Sequence, residues 1–272
     1  MKKVITTPAG RERYLKILFQ YLKKYKHEFD YWDIWVNTIN PSDVEFIEKL
    51  GRENDFIRLK YLTVPFDGRG CGHTIYSFFK DYVNPDEVYL RLDDDIVYVH
   101  PGAITRIFDE RLKDNSSFIL YGNIINNWMT SYVHQRVGNI GYDFGVCQID
   151  EVCRVGWDSG KFAESLHRKF LEKVNTNSVE DFFIRDWDIP NCDRVSINAI
   201  SWTGEEFSKF SGNVDPDEEV WLATIRPKEV GKINKIIGDA IFVHYAFWPQ
   251  RSYLDGTDVL SKYEEVANKI CQ

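Results

Sequence analysis

Three consecutive carboxylates, Asp93, Asp94 and Asp95, stand between two apolar runs, Tyr89-Leu90-Arg91-Leu92 before them and Ile96-Val97-Tyr98-Val99 after. Adjacent carboxylates with apolar flanks repel one another and cost desolvation. A divalent cation offsets both effects, and hard oxygen donors in a tight cluster suit Mg²⁺, Mn²⁺ or Ca²⁺. The alternative for this stretch alone is a solvated acidic turn just past a strand.

The elements that would position these acids can be traced along the chain. Val88, Leu90 and Leu92 alternate with Tyr89 and Arg91, the pattern of a strand that ends at the acids. Ahead of it, Val4 to Thr6 reads as a first strand. Thr7-Pro8-Ala9-Gly10 then turns into a helix whose Leu15, Leu18, Phe19, Leu22 and Tyr25 fall on one face. Tyr31 to Val36 is a second strand, broken by Asn37-Thr38-Ile39-Asn40-Pro41. Ser42 or Asp43 can cap the helix that holds Val44, Ile47 and Leu50. A third strand runs from Phe56 to Leu62. The glycine-bearing loop Asp67 to Gly72 leads into a helix from His73 to Tyr82. A helix with Ile104, Ile107, Phe108 and Leu112 follows the acids, then a fifth strand at Phe118 to Tyr121.

This alternation predicts an α/β fold with a doubly wound, mostly parallel sheet. Ligands of such sheets sit outside the carboxyl ends of the strands. Thr6-Thr7 with Arg11, Asn37-Thr38 and Asp93-Asp94-Asp95 all fall at such ends, placing a nucleotide-sized polar site and a metal-sized acidic site on one edge. The glycine loop matches neither G-x-G-x-x-G after a first strand nor a Lys-bearing phosphate loop. It reads equally as a surface connection.

The second half is less regular. Trp128 to Trp157 reads as loops with short elements, a strand is expected near Val195 to Ser201, and Asp215 to Leu222 resembles a helix start with acids in its first turn. Ala240 to Phe247, with His244, is a late strand, and Thr257 to Ile270 a closing amphipathic helix. The expectation is one domain over 1–272, with a nucleotide-binding half at 1–125 and an acceptor-binding half at 126–272.

Composition narrows the classes. The chain has 272 residues, 43% of them hydrophobic, and a formal net charge of −8. That balance disfavours a nucleic-acid partner. No apolar run is long enough for a membrane span or signal peptide, so a cytoplasmic location is expected. The five cysteines (71, 147, 153, 192, 271) form no C-x-x-C pair, which argues against zinc or a disulfide framework.

Three segments carry a resemblance: Val4-Ile-Thr-Thr-Pro-Ala-Gly-Arg-Glu-Arg-Tyr-Leu, Arg91-Leu-Asp-Asp-Asp-Ile-Val-Tyr, and Val243-His-Tyr-Ala-Phe-Trp-Pro-Gln-Arg. Together they resemble small nucleotide-sugar glycosyltransferases of the GT-A fold, a D-x-D group of bacteria and large DNA viruses that build glycans. The resemblance implies transfer of a sugar from a nucleoside-diphosphate donor, UDP-linked by expectation, to a glycan hydroxyl. It implies Mn²⁺ or Mg²⁺ held by Asp93, Asp95 and His244, with Asp94 facing away or assisting. It further implies base and ribose contacts at Thr6, Thr7, Pro8, Arg11 and Asn37, with His73 as a weaker candidate, and phosphate pairing by Arg11 and Arg251. For an inverting reaction the base would be Glu219, then Glu218, with Glu205-Glu206 as the alternative pair. Acidic helix capping accounts for either pair without chemistry. Trp128, Tyr132, Trp157, Trp202, Trp221 and Trp248 would supply an acceptor wall.

Other classes remain compatible with the same residues. A metal-dependent nucleotidyltransferase or phosphotransferase also combines nucleotide, metal and carboxylates. A glycoside hydrolase would use separated carboxylates, and a carbohydrate-binding module would use the aromatic rings.

Overall fold

The structure, a computed structural model, describes residues 1–61, 75–149 and 153–272. Among these, nine strands form one sheet: β1 (Lys2–Ala9), β2 (Tyr31–Val36), β3 (Ile57–Tyr61), β4 (Glu87–Leu92), β5 (Ile96–Val99), β6 (Ser117–Ile125), β7 (Trp187–Ile189), β8 (Ala199–Thr203) and β9 (Ile233–His244). Their order is β3-β2-β1-β4-β8-β6-β9-β5, with β7 also on β9. The crossovers of the first half are α1 (Glu12–Lys24) and α2 (Pro41–Glu53), and α3 (Ala103–Lys113) joins β5 to β6. The second half adds α4 (Trp128–Val137), α5 (Arg154–Asp158), α6 (Gly160–Asn175), α7 (Gly204–Ser208), α8 (Glu218–Val220), α9 (Arg226–Val230), α10 (Arg251–Leu254) and α11 (Val259–Cys271).

The first half forms for the reasons its sequence gives. Helix α1 buries Leu15, Leu18 and Leu22, together with Tyr14 and Tyr21, against the sheet. Helix α2 starts on Asn40, whose side chain accepts from Ser42 N at 3.2 Å, with Pro41 in the first turn, where its missing N–H is no loss. The cap is therefore Asn40 rather than Ser42 or Asp43.

Two features depart from the expected alternation. Strand β8 lies antiparallel between β4 and β6, so the sheet is mixed at its centre. Trp128 to Val137, read as loop, is helix α4, begun by the Asn127 side chain accepting from Met129 N. Segment Ile75–Asp81 is a 3₁₀ helix; the glycine loop and His73 lie outside the described residues.

The acids occupy the tightest joint of the sheet. Strands β4 and β5 are linked by Asp93, Asp94 and Asp95 alone, yet stand at opposite ends of the run β4-β8-β6-β9-β5. Four strand spacings in a flat sheet would be about 19 Å, whereas the step from Leu92 to Ile96 spans at most about 14 Å. The sheet must therefore curl. The joint is stitched from both sides: Asp93 N donates to Asn198 O at 2.9 Å, and Tyr245 N donates to Asp95 O at 2.9 Å.

Candidate functional site

Strands β1, β2, β3 and β4 are mutually parallel, so Gly10-Arg11, Asn37 and Asp93 leave the sheet on the same edge. Strand β6 and β9 run the same way, which brings Asn126 and His244 to that edge as well. The turn after β1 is the topological switch point of the 3-2-1-4 order, where a crevice opens.

Asp94 and Asp95 are buried there beneath Arg11. Arg11 Nε donates to Asp94 Oδ1 at 3.1 Å, and its Nη2 pairs with both Asp94 Oδ1 and Asp95 Oδ2, the latter at 3.1 Å. The backbone N–H of Gly10 adds a bond to Asp94 Oδ2 at 2.9 Å. Arg251, at the start of α10, reaches Asp95 Oδ2 at 3.5 Å. Burial alone would raise the Asp95 carboxyl, but Arg11, His244 and Arg251 outweigh it and hold the group well below the usual carboxylate range.

His244 ends β9 and is 3% exposed. Its Nδ1 stands 3.1 Å from the Asn126 carbonyl, which can only accept, so Nδ1 carries the proton. Its Nε2 then faces Asp95 Oδ1 at 3.6 Å, too far for a hydrogen bond. An imidazole nitrogen and a carboxylate oxygen facing each other across 3.6 Å form a donor pair that a cation could bridge, with the other ring nitrogen fixed by a carbonyl. Asp95 and His244 thus fit a divalent cation. Asp93 points elsewhere: Oδ1 accepts from Arg91 at 3.2 Å and Oδ2 from Asn198 Nδ2 at 3.0 Å. Among the described residues the expected three-ligand set of Asp93, Asp95 and His244 is not assembled.

The acids expected as a catalytic base are committed to arginines. Buried Arg91 bridges Asp93 and Glu218, the latter at 2.9 Å, and Arg194 Nε donates to Glu219 at 2.6 Å. Burial raises both glutamates above the usual carboxylate range against the pull of Arg91 and Arg194. Glu205-Glu206 follows β8, whose Thr203 pairs with Val88 at the amino end of β4, so that pair lies at the opposite edge from the acids.

The threonines proposed for base and ribose contact are part of the core. Thr6 Oγ1 donates to Tyr82 Oη at 2.8 Å, and Trp32 Nε1 donates to Thr7 Oγ1 at 2.9 Å. Both threonines are fully buried, whereas Pro8 is half-buried at the strand end. Asn37 closes β2 at 7% exposure with its N–H on Ala9 O. Of the expected aromatic wall, Trp128 and Trp202 are wholly buried and Trp248 is 76% exposed. The participants that sequence reasoning passed over are Asn126, Asn198 and Arg194. Each is an ordinary polar residue whose position becomes informative only once distant strands meet.

No protein-family model matches the chain, and a comparison with curated proteins returns no match. Solved structures do match. A 4-diphosphocytidyl-2C-methyl-D-erythritol synthase aligns over 93% of this chain and 96% of its own, at 12% identity and a TM-score of 0.48. A CMP:2-keto-3-deoxy-manno-octonic acid synthetase complexed with CTP aligns over 99% of this chain and 100% of its own, at 10% identity and a TM-score of 0.48. A 2-C-methyl-D-erythritol 4-phosphate cytidylyltransferase from Francisella tularensis aligns over 45% of this chain and 57% of its own, at 15% identity and a TM-score of 0.32.

Those names correct the expectation of sugar transfer. They describe makers of cytidine-nucleotide compounds, not sugar transferases. The glycosyltransferase reading, with its UDP-sugar donor, is withdrawn. At these identities the likeness is at most one of fold, and the fold expected from the sequence is found in the sheet itself: α/β, mixed and mostly parallel. No helix among the described residues is long and apolar enough to cross a membrane.

Proposed function

We propose that this chain is an enzyme that transfers a nucleotidyl group from a nucleoside triphosphate to a second substrate. The observation that carries the reading is the meeting of Asp95 and His244 with the guanidiniums of Arg11 and Arg251 at one sheet edge. That set combines a cation-binding pair with cations suited to phosphate oxygens. Among the described residues, Nη1 of Arg11 and Nε of Arg251 are buried donors without a hydrogen-bond partner. Buried donors are normally satisfied, and a polyphosphate supplies the missing acceptors.

Displacement at phosphorus is catalysed chiefly by positioning and charge neutralisation. Arg11 and Arg251 would hold the departing phosphates in line and take up their charge. The backbone of Pro8 to Arg11 and the side chain of Asn37 would seat the nucleoside at the switch point. Arg91, clamped by Asp93 and Glu218, would keep β4 and α8 in fixed relation, and Glu219 would tie α8 to Arg194, so the two glutamates would act as positioning residues. A divalent cation, Mn²⁺ or Mg²⁺, would be held by Asp95 and His244 and would supply Lewis-acid neutralisation of the phosphate oxygens.

The names of the structural neighbours are compatible with this class and lend no residue assignments. The test is calorimetric titration of ATP, CTP, GTP and UTP with and without Mn²⁺, followed by a pyrophosphate-release assay over a panel of sugar phosphates and sugar acids. Binding of one triphosphate and pyrophosphate release with one class of second substrate are expected. Absence of binding by all four with either cation overturns the reading.

A further inference from the structure

The buried centre is electrically complete without a metal. Asp94 and Asp95 bring two negative charges, and Arg11 and Arg251 bring two positive ones. A divalent cation added to this set would leave uncompensated positive charge in a buried site, which is costly. A cation arriving with a polyphosphate brings its own counter-charge, provided that the arginines can turn from carboxylate to phosphate.

We propose that Arg11 is an exchangeable occupant of the acid pair: it neutralises Asp94 and Asp95 in the free protein and moves to the phosphates of an incoming nucleotide, so that a divalent cation gains Asp95 only together with that nucleotide. The inference rests on the nucleotidyl-transfer reading of this site.

Several features suit Arg11 to this exchange. Its side chain is 30% exposed, whereas those of Asp94 and Asp95 are 4% and 2% exposed. The residue precedes α1 with extended backbone, φ −138° and ψ 94°, and makes no side-chain capping bond. Moving it therefore costs the helix no hydrogen bond. The guanidinium carbon lies 5.0 Å from the centre of the Tyr14 ring, a cation–π surface along which it can slide.

There is also room on its outer side. A cleft of about 420 Å³ is lined by Arg11, Glu12, Arg13, Lys16, Asn40 and Asp43. Arg13 and Lys16 are paired there with Asp255 at 2.9 Å and Glu264 at 2.8 Å, in half-exposed bridges of the kind that contribute little and are readily exchanged. The move leaves Asp94 the Gly10 N–H on its Oδ2, and the arriving cation beside Asp95 supplies the positive charge that Arg11 takes away. Asp95 would be the carboxylate released, and His244 already faces it.

The experiment measures Mn²⁺ affinity by electron paramagnetic resonance on the full chain, alone and with inorganic triphosphate or CTP. For the native chain, triphosphate is expected to tighten Mn²⁺ at least tenfold. Arg11→Gln is expected to bind Mn²⁺ alone at least tenfold more tightly than the native chain and to lose at least threefold of the coupling. Should that variant fail to fold, Arg11→Lys keeps the charge but cannot bridge both carboxylates, and a severalfold gain in Mn²⁺ affinity is expected. The Arg11 Nε–H resonance should also shift when triphosphate is added without metal. Unchanged Mn²⁺ affinity in the variant that folds, or an unmoved resonance while triphosphate binds, overturns the role of Arg11 alone. A native chain that binds neither Mn²⁺ nor either phosphate in any combination overturns the nucleotidyl-transfer reading with it.

Discussion

Nε2 of His244 stands 3.6 Å from Oδ1 of Asp95, and the same imidazole is pinned at Nδ1 by the carbonyl of Asn126. Residues 149 positions apart in sequence (244 − 95) thus share one buried pocket edge. Removing the carboxylate should remove the proposed cation site. Asp95→Asn is expected to weaken triphosphate-dependent Mn²⁺ binding by about 100-fold or more, since losing even a partner that only orients a metal ligand costs about 10–100-fold. Calorimetry with Mn²⁺ and triphosphate, beside a far-ultraviolet dichroism spectrum to verify the fold, checks this.

The same residue sets an acid limit on stability. The folded protein holds Asp95 below its unfolded value, which is about 3.9. The stabilisation is fully present above that unfolded value and is lost as pH falls through the lower folded-state value, because the unfolded chain then binds the proton more readily. Urea titrations of the native chain and Asp95→Asn from pH 7 to pH 3 should show a stability gap that is constant down to about pH 5 and narrows below about pH 4. A gap that widens with acid would contradict the sign of the shift.

A second network is structural. The Tyr82 hydroxyl accepts from Trp35 Nε1 at 2.6 Å and from Thr6 Oγ1, and donates to Asp33 Oδ2 at 3.2 Å. Asp33 is in turn held by Arg58 at 2.6 Å. Tyr82→Phe leaves these buried groups short of partners and should cost about 1–3 kcal/mol. Denaturant unfolding should show the loss while triphosphate affinity changes by less than twofold.

Gly10 is confined by its neighbours. A Cβ at this position would lie 2.6 Å from the Asn37 carbonyl oxygen and 3.3 Å from Thr38 Cβ. Gly10→Ala must therefore push the β1 turn away from β2 and pull the Gly10 N–H off Asp94. A stability loss of about 1–3 kcal/mol is expected, with triphosphate affinity lowered at least tenfold, both measurable on one preparation by melting and calorimetry.

Breaking the clamp between β4 and α8 should be costly. Arg91 and Glu218 are 6% and 14% exposed, and without the Glu218 charge the buried guanidinium keeps only Asp93 as an acidic partner. Glu218→Gln is expected to destabilise by about 1–3 kcal/mol, read from the shift of the urea midpoint.

The contrast between Thr6 and His244 shows how far sequence could carry the site. The strand–helix alternation up to β3 follows from local patterns, and so does the exit of β4 into three acids. His244 on a late strand and Arg251 just beyond were visible as candidates. Thr6 and Thr7 sit where a nucleotide contact was expected, but their hydroxyls serve Tyr82 and Trp32, partners 76 and 25 residues away. Strand β8 reads locally as a strand, yet its antiparallel place between β4 and β6 is set only by pairings with residues near 90 and 120. Arg91 reads in sequence only as lying on the strand face opposite Leu90 and Leu92, and the return of α8 with Glu218 makes it a buried clamp.

The three-residue joint between β4 and β5 also bears on when this centre can exist. Asp94 and Asp95 leave the ribosome early, but Asn198, His244 and Arg251 emerge far behind them. Until β8 and β9 have paired, the acids have Arg11 for company but neither the Asn198 and Tyr245 backbone bonds nor Arg251. Contacts of such long sequence separation form late and slowly. An unfinished or truncated chain would hold an open acid turn in place of the proposed cation site, so ligand binding at Asp95, if found, would double as a report that synthesis and folding have run to the last strand.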